Sequence, residues 1–287
     1  MTEPIPTRPS WLGETLTLLR TCWWRVLAIS VGTGAVDLLA VGGLLLFATS
    51  TPSPGLGVDE PVFIAAVYVL PTVLSGACTA WAWAAAVEVL RGAGEGRRVR
   101  VGAALGLGVR RAGPLTLWLV GIGLVHVAGS VYVLYRSMDY PYSISSFQTL
   151  STVVTVGGWY LTFATALLPL VVLFERRGPG RAWLLAHSRA ATIGQIVAML
   201  AFGFAVDRLA TLVLAQAFQA EVSHALPWSL QLTMNSIIGV LVSAVTMTAL
   251  TAAYLHRVAL SATPGAPSAD PVPGGSEPAV IELGRTW

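Results

Sequence analysis

Apolar residues in this chain do not alternate with polar ones at the period of strands. They come in long blocks, set apart by short polar segments. Six blocks are long enough to cross a bilayer, for which about 20 apolar residues suffice: 26–48, 62–90, 115–135, 150–174, 193–218 and 230–255. The predicted fold is all-α, a polytopic transmembrane bundle of about six helices over residues 1–260. Pro71 is expected to kink the second span, and Gly157 and Gly158 are the other expected break. From Ser261 on, the chain is rich in Pro, Gly, Ser and Ala, which predicts a disordered cytoplasmic tail, 261–287.

Three shorter segments, 11–20, 101–110 and 182–189, each end in an arginine just before a span. Leu12, Leu16 and Leu19 form an apolar stripe at helical spacing in the first, as do Val101, Leu105 and Val109 in the second. Each is expected to be an interfacial helix lying on the membrane surface. The bundle would then be three repeats of interfacial helix plus helical hairpin.

Composition supports a membrane setting. The chain is 55% hydrophobic and 11% charged, less than half the charge of an ordinary soluble domain. All of its basic residues other than histidine are arginines, and the net charge is +3. A basic balance can signal nucleic acid, but these arginines sit in short segments beside the spans, so no nucleic-acid partner is expected. Arg91, Arg97, Arg98, Arg100, Arg110 and Arg111 separate spans two and three; Arg176, Arg177, Arg181 and Arg189 separate four and five. The loops on the opposite side hold only Arg136. Because cytoplasmic loops carry the excess of positive charge, both termini are expected in the cytoplasm.

No catalytic constellation is visible. His-Glu-x-x-His, Gly-x-Ser-x-Gly and the P-loop are absent from the sequence. Cys22 and Cys78 have no metal-ligand or disulfide-framework spacing. The expectation is a protein without enzymatic activity, metal or cofactor. Glu88 and Glu175 end spans beside arginines and are expected to be ion-paired, with Arg91 and with Arg176 or Arg177. Small residues recur every fourth position at Gly76, Ala80 and Ala84, and at Ala244, Thr248 and Ala252, which suits close helix packing.

Four ionisable residues fall inside the spans: Asp37, His126, Asp207 and Arg208. Asp37, His126 and Asp207 follow Arg20, Arg110 and Arg189 by 16 to 18 residues, which puts them at nearly one depth. Since a lone charge in the bilayer is costly, a polar layer is expected, with Arg208 paired to Asp37.

The run Leu168-Pro169-Leu170 through Glu175-Arg176-Arg177-Gly178-Pro179, then Ala182, Ser188, Thr192 and Gly194, resembles the glycerophosphoryl diester phosphodiesterase membrane-domain family. Tyr254 and Arg257 continue the likeness, and residues 12–19 echo it. The chain departs from that family at His187 and Arg189, where an arginine and a tryptophan usually flank the serine. The resemblance implies a membrane domain in a bacterial plasma membrane, marked by a turn at Glu175, Gly178, Pro179 and Ser188. It does not imply phosphodiesterase activity, because the soluble catalytic barrel is missing. The expected role is scaffolding, or binding of membrane lipids or another membrane protein, in an envelope process. The alternative is a small transporter or channel.

Overall fold

The structure, a computed structural model, describes residues 10–50, 68–139, 144–220 and 227–261. The expected tail and the loops between these stretches lie outside the described residues. Within them the chain is helical and contains no strand. Helix α1 spans Trp11–Ser50, α2 Leu70–Gly94, α3 Val101–Asp139 and α4 Ile144–Thr165. A short turn at Leu168–Leu170 and a π-helical turn at Val171–Glu175 follow. Helix α5 spans Pro179–His187, α6 Ala190–Ala220 and α7 Pro227–Ser261. Five segments are long and apolar enough to cross a membrane: Trp11–Leu44, Leu70–Gly94, Val101–Val133, Gln148–Glu175 and Ile237–Leu255. The pair Pro179–His187 and Ala190–Val206, bent by 105°, makes a sixth if it is one span.

The long helices close into a ring in chain order. Asp37 on α1 meets Ser75 on α2. A methyl added at Gly108 on α3 would lie 3.1 Å from the Ala85 backbone of α2. One at Gly129 on α3 would meet Val154 of α4. Trp159 of α4 sets its ring edge to Phe204 of α6, with centroids 6.0 Å apart. Gly203 of α6 faces Val242 of α7, and Val240 of α7 faces Gly34 of α1.

The core lies at one end of that ring. Buried residues run from Thr15 to Thr33 on α1, from Ala80 on α2, to Leu115 on α3, from Ala164 at the end of α4, to Ile196 on α6 and from Ala244 on α7. All of these positions adjoin the arginine-bearing connections. In the opposite halves no described residue is buried, although α2 and α3 stay close at Gly76 and Gly123.

Two of the three expected interfacial helices are not separate elements. Segment 101–110 is the first part of α3 and continues it along α2 in antiparallel register, with Gly108 at Ala85, Val120 at Gly76 and Gly123 at Thr72. The indole of Trp81 donates to the Leu105 carbonyl at 2.9 Å and locks that register. The residues that pack are Ala104, Gly108 and Ala112, whereas Val109 is 62% exposed. Small residues let backbones approach, and the large apolar stripe is left for lipid.

Segment 11–20 likewise runs on into α1, and Leu12 and Leu16 are exposed. Yet α1 cannot be straight. Trp11 donates to the Ala249 carbonyl of α7 at 3.0 Å, while Gly34 touches Val240. The two α1 positions are about 34 Å apart along an ideal helix, whereas their partners are only about 14 Å apart. The first turns of α1 therefore bend across the base of α7. Only the third segment is a distinct helix, α5, so the strict threefold repeat is not present.

Replacing Gly108 by valine should lower stability by about 1–3 kcal/mol, because the added methyls meet the α2 backbone. Gly102→Val, whose added carbon meets nothing within 4 Å, should be tolerated; thermal unfolding in detergent separates the two.

Candidate functional site

The expected break at Gly157-Gly158 is not where the fourth span breaks. Pro71, in the second span, follows directly on two π-helical residues, 68–69, and residues 61–67 before them lie outside the described residues. Gly157 and Gly158 lie inside uninterrupted α4. The break falls at Ala166 and Leu167, and Pro169 explains it. Its ring removes one helical hydrogen bond and clashes with the carbonyl four residues earlier, at Thr165, the last residue of α4.

The chain re-forms as a π-helical turn whose Val171 carbonyl accepts from the N–H groups of both Arg176 and Arg177. Arg176 closes it in the left-handed conformation, φ 54°, which is costly without glycine. Gly178 then brings the backbone against Trp118 of α3, where an added methyl would lie 3.2 Å from the ring. Pro179 opens α5, as proline does at a helix start.

This geometry places Glu175 where three elements meet. Its carboxylate accepts from the Tyr254 hydroxyl of α7 at 2.9 Å and from Arg181 of α5 at 3.0 Å. Tyr254 is buried and stacks on Phe174, with centroids 5.3 Å apart. The Glu175 side chain is 14% exposed and Arg181 is 42% exposed, so the acid is sheltered while its cation reaches solvent. Glu88 on α2 repeats the arrangement with Arg111 on α3 at 3.0 Å. Both glutamates are ion-paired as expected, but not with the expected arginines. Arg91 instead joins Arg97 on Glu95, and the Arg97 and Arg91 hydrogen bonds hold the Glu95 carboxyl below its usual pKa.

Ser188 turns its hydroxyl to the Leu185 carbonyl at 2.9 Å and caps α5. His187 sits among Tyr160, Phe163 and Trp183, with ring centroids 4.6 to 6.0 Å away. The Trp183 indole donates to the Tyr160 hydroxyl. This aromatic stack pins the bend between α5 and α6 to α4.

The four intramembrane residues are not gathered into a layer by their described contacts. Asp37 accepts from the Ser75 hydroxyl at 2.8 Å. His126 turns Nδ1 to the Ile122 carbonyl of its own helix and lies beside Gly158. Arg208 lies exposed over the Phe204 ring, 5.0 Å from its centroid. No Arg208–Asp37 pair occurs among the described ion pairs, and the Asp207 side chain lies outside the described residues. The reason is the ring order: α1 and α6 are separated by α7. Among the described residues no three histidine, cysteine or acidic side chains are grouped as for a metal.

The fold and this geometry define a helical protein with five or six helices able to span a membrane. No protein-family model, no curated protein and no solved structure matches the chain.

Tyr254→Phe should destabilise by about 1.5–3 kcal/mol, the usual worth of a hydrogen bond to a charged partner. Glu175→Gln should remove much of that coupling, so the double variant should lose less than the sum of the singles in thermal unfolding. At the other end of the ring, Asp37→Leu and Ser75→Ala should couple by about 0.6 kcal/mol, as intramembrane hydrogen bonds do. Arg208→Leu should be additive with Asp37→Leu; rescue of one by the other would reinstate the expected pair.

Proposed function

We propose that this chain is a multi-pass protein of a bacterial plasma membrane, with both termini in the cytoplasm. It acts as a scaffold that binds anionic lipid or a partner membrane protein and performs no chemistry of its own. The observation that carries this reading is that the packed core and the arginine-bearing connections share one end of the bundle. A rigid end holds charges at fixed positions, and basic groups near an anionic leaflet gain about 1 kcal/mol each.

The resemblance to the glycerophosphoryl diester phosphodiesterase membrane-domain family supports the same reading. Glu175 and Tyr254, which both contribute to that likeness, are 79 residues apart and hydrogen-bonded to each other. A second reading, a small transporter, is favoured by the π-helical turn and by the 105° bend between α5 and α6. Discontinuous helices line substrate sites in many transporters. Substrate-independent leak or flux in proteoliposomes would favour this second reading over a scaffold.

Orientation is tested by single-cysteine labelling of intact cells in a background lacking Cys22 and Cys78. Cysteines placed at Pro54, Ser143 and Ser223 should react with an impermeant reagent, and those at Gly94 and Gly180 should be protected. Labelling at Gly94 from outside would reverse the topology.

A further inference from the structure

One partly open cavity in the basic end is built from α1, the end of α2 and the connection that follows it. Arg25 and Thr21 of α1, Ala93 at the end of α2, and Gly96, Arg97 and Arg98 of the α2–α3 connection line a space of about 200 Å³. Gly96 makes the turn possible, with φ +70°, and the Arg97 N–H closes it on the Gly92 carbonyl at 2.7 Å. The fold thus brings Arg97 and Arg98 back over α1 and onto Arg25.

Charge and size then limit the occupant. Glu95, the acid beside the cavity, is shared between Arg91 and Arg97. Arg25 and Arg98 form no ion pair among the described residues. Arg25 stacks on its neighbour Trp24, 5.4 Å from the ring centroid, which fixes its position without neutralising it. Converging like charges with one shared counter-charge make a local positive potential that favours an anion. The space equals roughly seven water volumes and falls short of the ~300 Å³ at which pockets for drug-sized ligands begin. A phosphate group fits both limits, since its oxygens accept from paired guanidinium forks.

We propose that this cavity binds a single phosphate group, carried either by an anionic phospholipid headgroup or by free phosphate. The proposal rests on the reading of the basic end as an anion-holding face and narrows it to one site.

The test uses the full chain in detergent, titrated with dioctanoyl phosphatidylglycerol and separately with inorganic phosphate. Native mass spectrometry counts the bound copies at each concentration and so follows saturation. Wild-type protein should bind one equivalent. Arg25→Gln with Arg98→Gln should weaken binding about 10- to 30-fold, at about 1 kcal/mol per removed charge. A charge-matched control, Arg110→Gln with Arg177→Gln, should bind as wild type does. Arg98→Glu alone, at an exposed connection residue, should also abolish binding and covers the case in which the double variant fails to fold. Saturation by the lipid but not by phosphate assigns the headgroup; competition by phosphate assigns the free anion. Equal losses in the cavity and control variants would overturn the site while leaving a generally anion-attracting face. Absence of saturable binding in wild-type protein would also overturn it, and the cysteine-labelling pattern reports independently on orientation.

Discussion

Close backbone approach between α2 and α3 is the constraint on which the rest of the bundle depends. Where Gly108 meets Ala85, the backbone of one helix lies within contact distance of a single added carbon on the other. In hydrocarbon, apolar side chains gain nothing by leaving lipid for each other, so helices associate through dense packing and local hydrogen bonds. The Trp81 indole adds such a bond to the Leu105 carbonyl on the same seam. With the seam fixed, the ends of α2 and α3 are fixed, and the connection between them must return over α1. The positions of Arg97 and Arg98 against Arg25 follow from packing two helical turns away.

A second consequence is the asymmetry of the core. Small residues, Ala80 to Ala86 on α2 and Ala244 to Ala253 on α7, concentrate where the helices approach the arginine-bearing connections. Polar closures concentrate there too: Trp11 onto Ala249, Tyr254 onto Glu175 and Arg111 onto Glu88. The first two join elements far apart in sequence, and the third ties the consecutive helices α2 and α3. Each also satisfies a polar group that would otherwise be costly at that depth. In the far half α2 and α3 stay close, with Gly76 at Val120 and Gly123 at Thr72, but no described residue there is buried and contacts such as Gly129 against Val154 are sparse. One end is therefore expected to be rigid and the other to deform first.

Much of this was legible in the sequence, and the failures share one physical cause. Helical blocks, their number and the arginine-rich connections follow from hydropathy, because lipid demands long apolar runs. The small-residue stripes at Gly76, Ala80 and Ala84 and at Ala244, Thr248 and Ala252 were legible for the same reason, and most of these residues are buried. What misled was reading the stripes at 11–20 and 101–110 as separate interfacial helices. Segment 101–110 instead continues α3, with Ala104, Gly108 and Ala112 packed, Val101 and Leu105 partly buried and Val109 exposed. The break after α4 was readable from Pro169, but Pro71 and the Gly157-Gly158 pair were weighted above it. Glycine is tolerated inside a packed membrane helix. A proline ring acts on the carbonyl four residues back; at Pro169 the helix breaks there, whereas α3 continues through Pro114. The partners of Glu88 and Glu175 could not be read from sequence neighbours, since they depend on how α3 and α5 return.

The intramembrane charges make the same point about depth and contact. Equal spacing from the arginine before each span implies one depth for Asp37 and His126. Asp37 instead bonds Ser75, which the α2–α3 register sets opposite residues near Val120, about 9 Å from His126 along α3. Depth also says nothing about which helices adjoin. In a ring closed in chain order, α1 has α2 and α7 as neighbours, and α6 has α7 and α4. Asp37 is therefore satisfied across the α1–α2 contact by Ser75, and Arg208 rests on Phe204, which itself touches Trp159 of α4. Each polar group is settled within its own helix or at its nearest contact, as expected where an unsatisfied group costs several kcal/mol and a distant partner cannot be reached. A layer across the bundle would have needed α1 and α6 to be adjacent. The position of α7 between them keeps Asp37 and Arg208 apart, while at the opposite end the arginine-lined cavity gathers Arg25 and Arg98, which form no ion pair among the described residues.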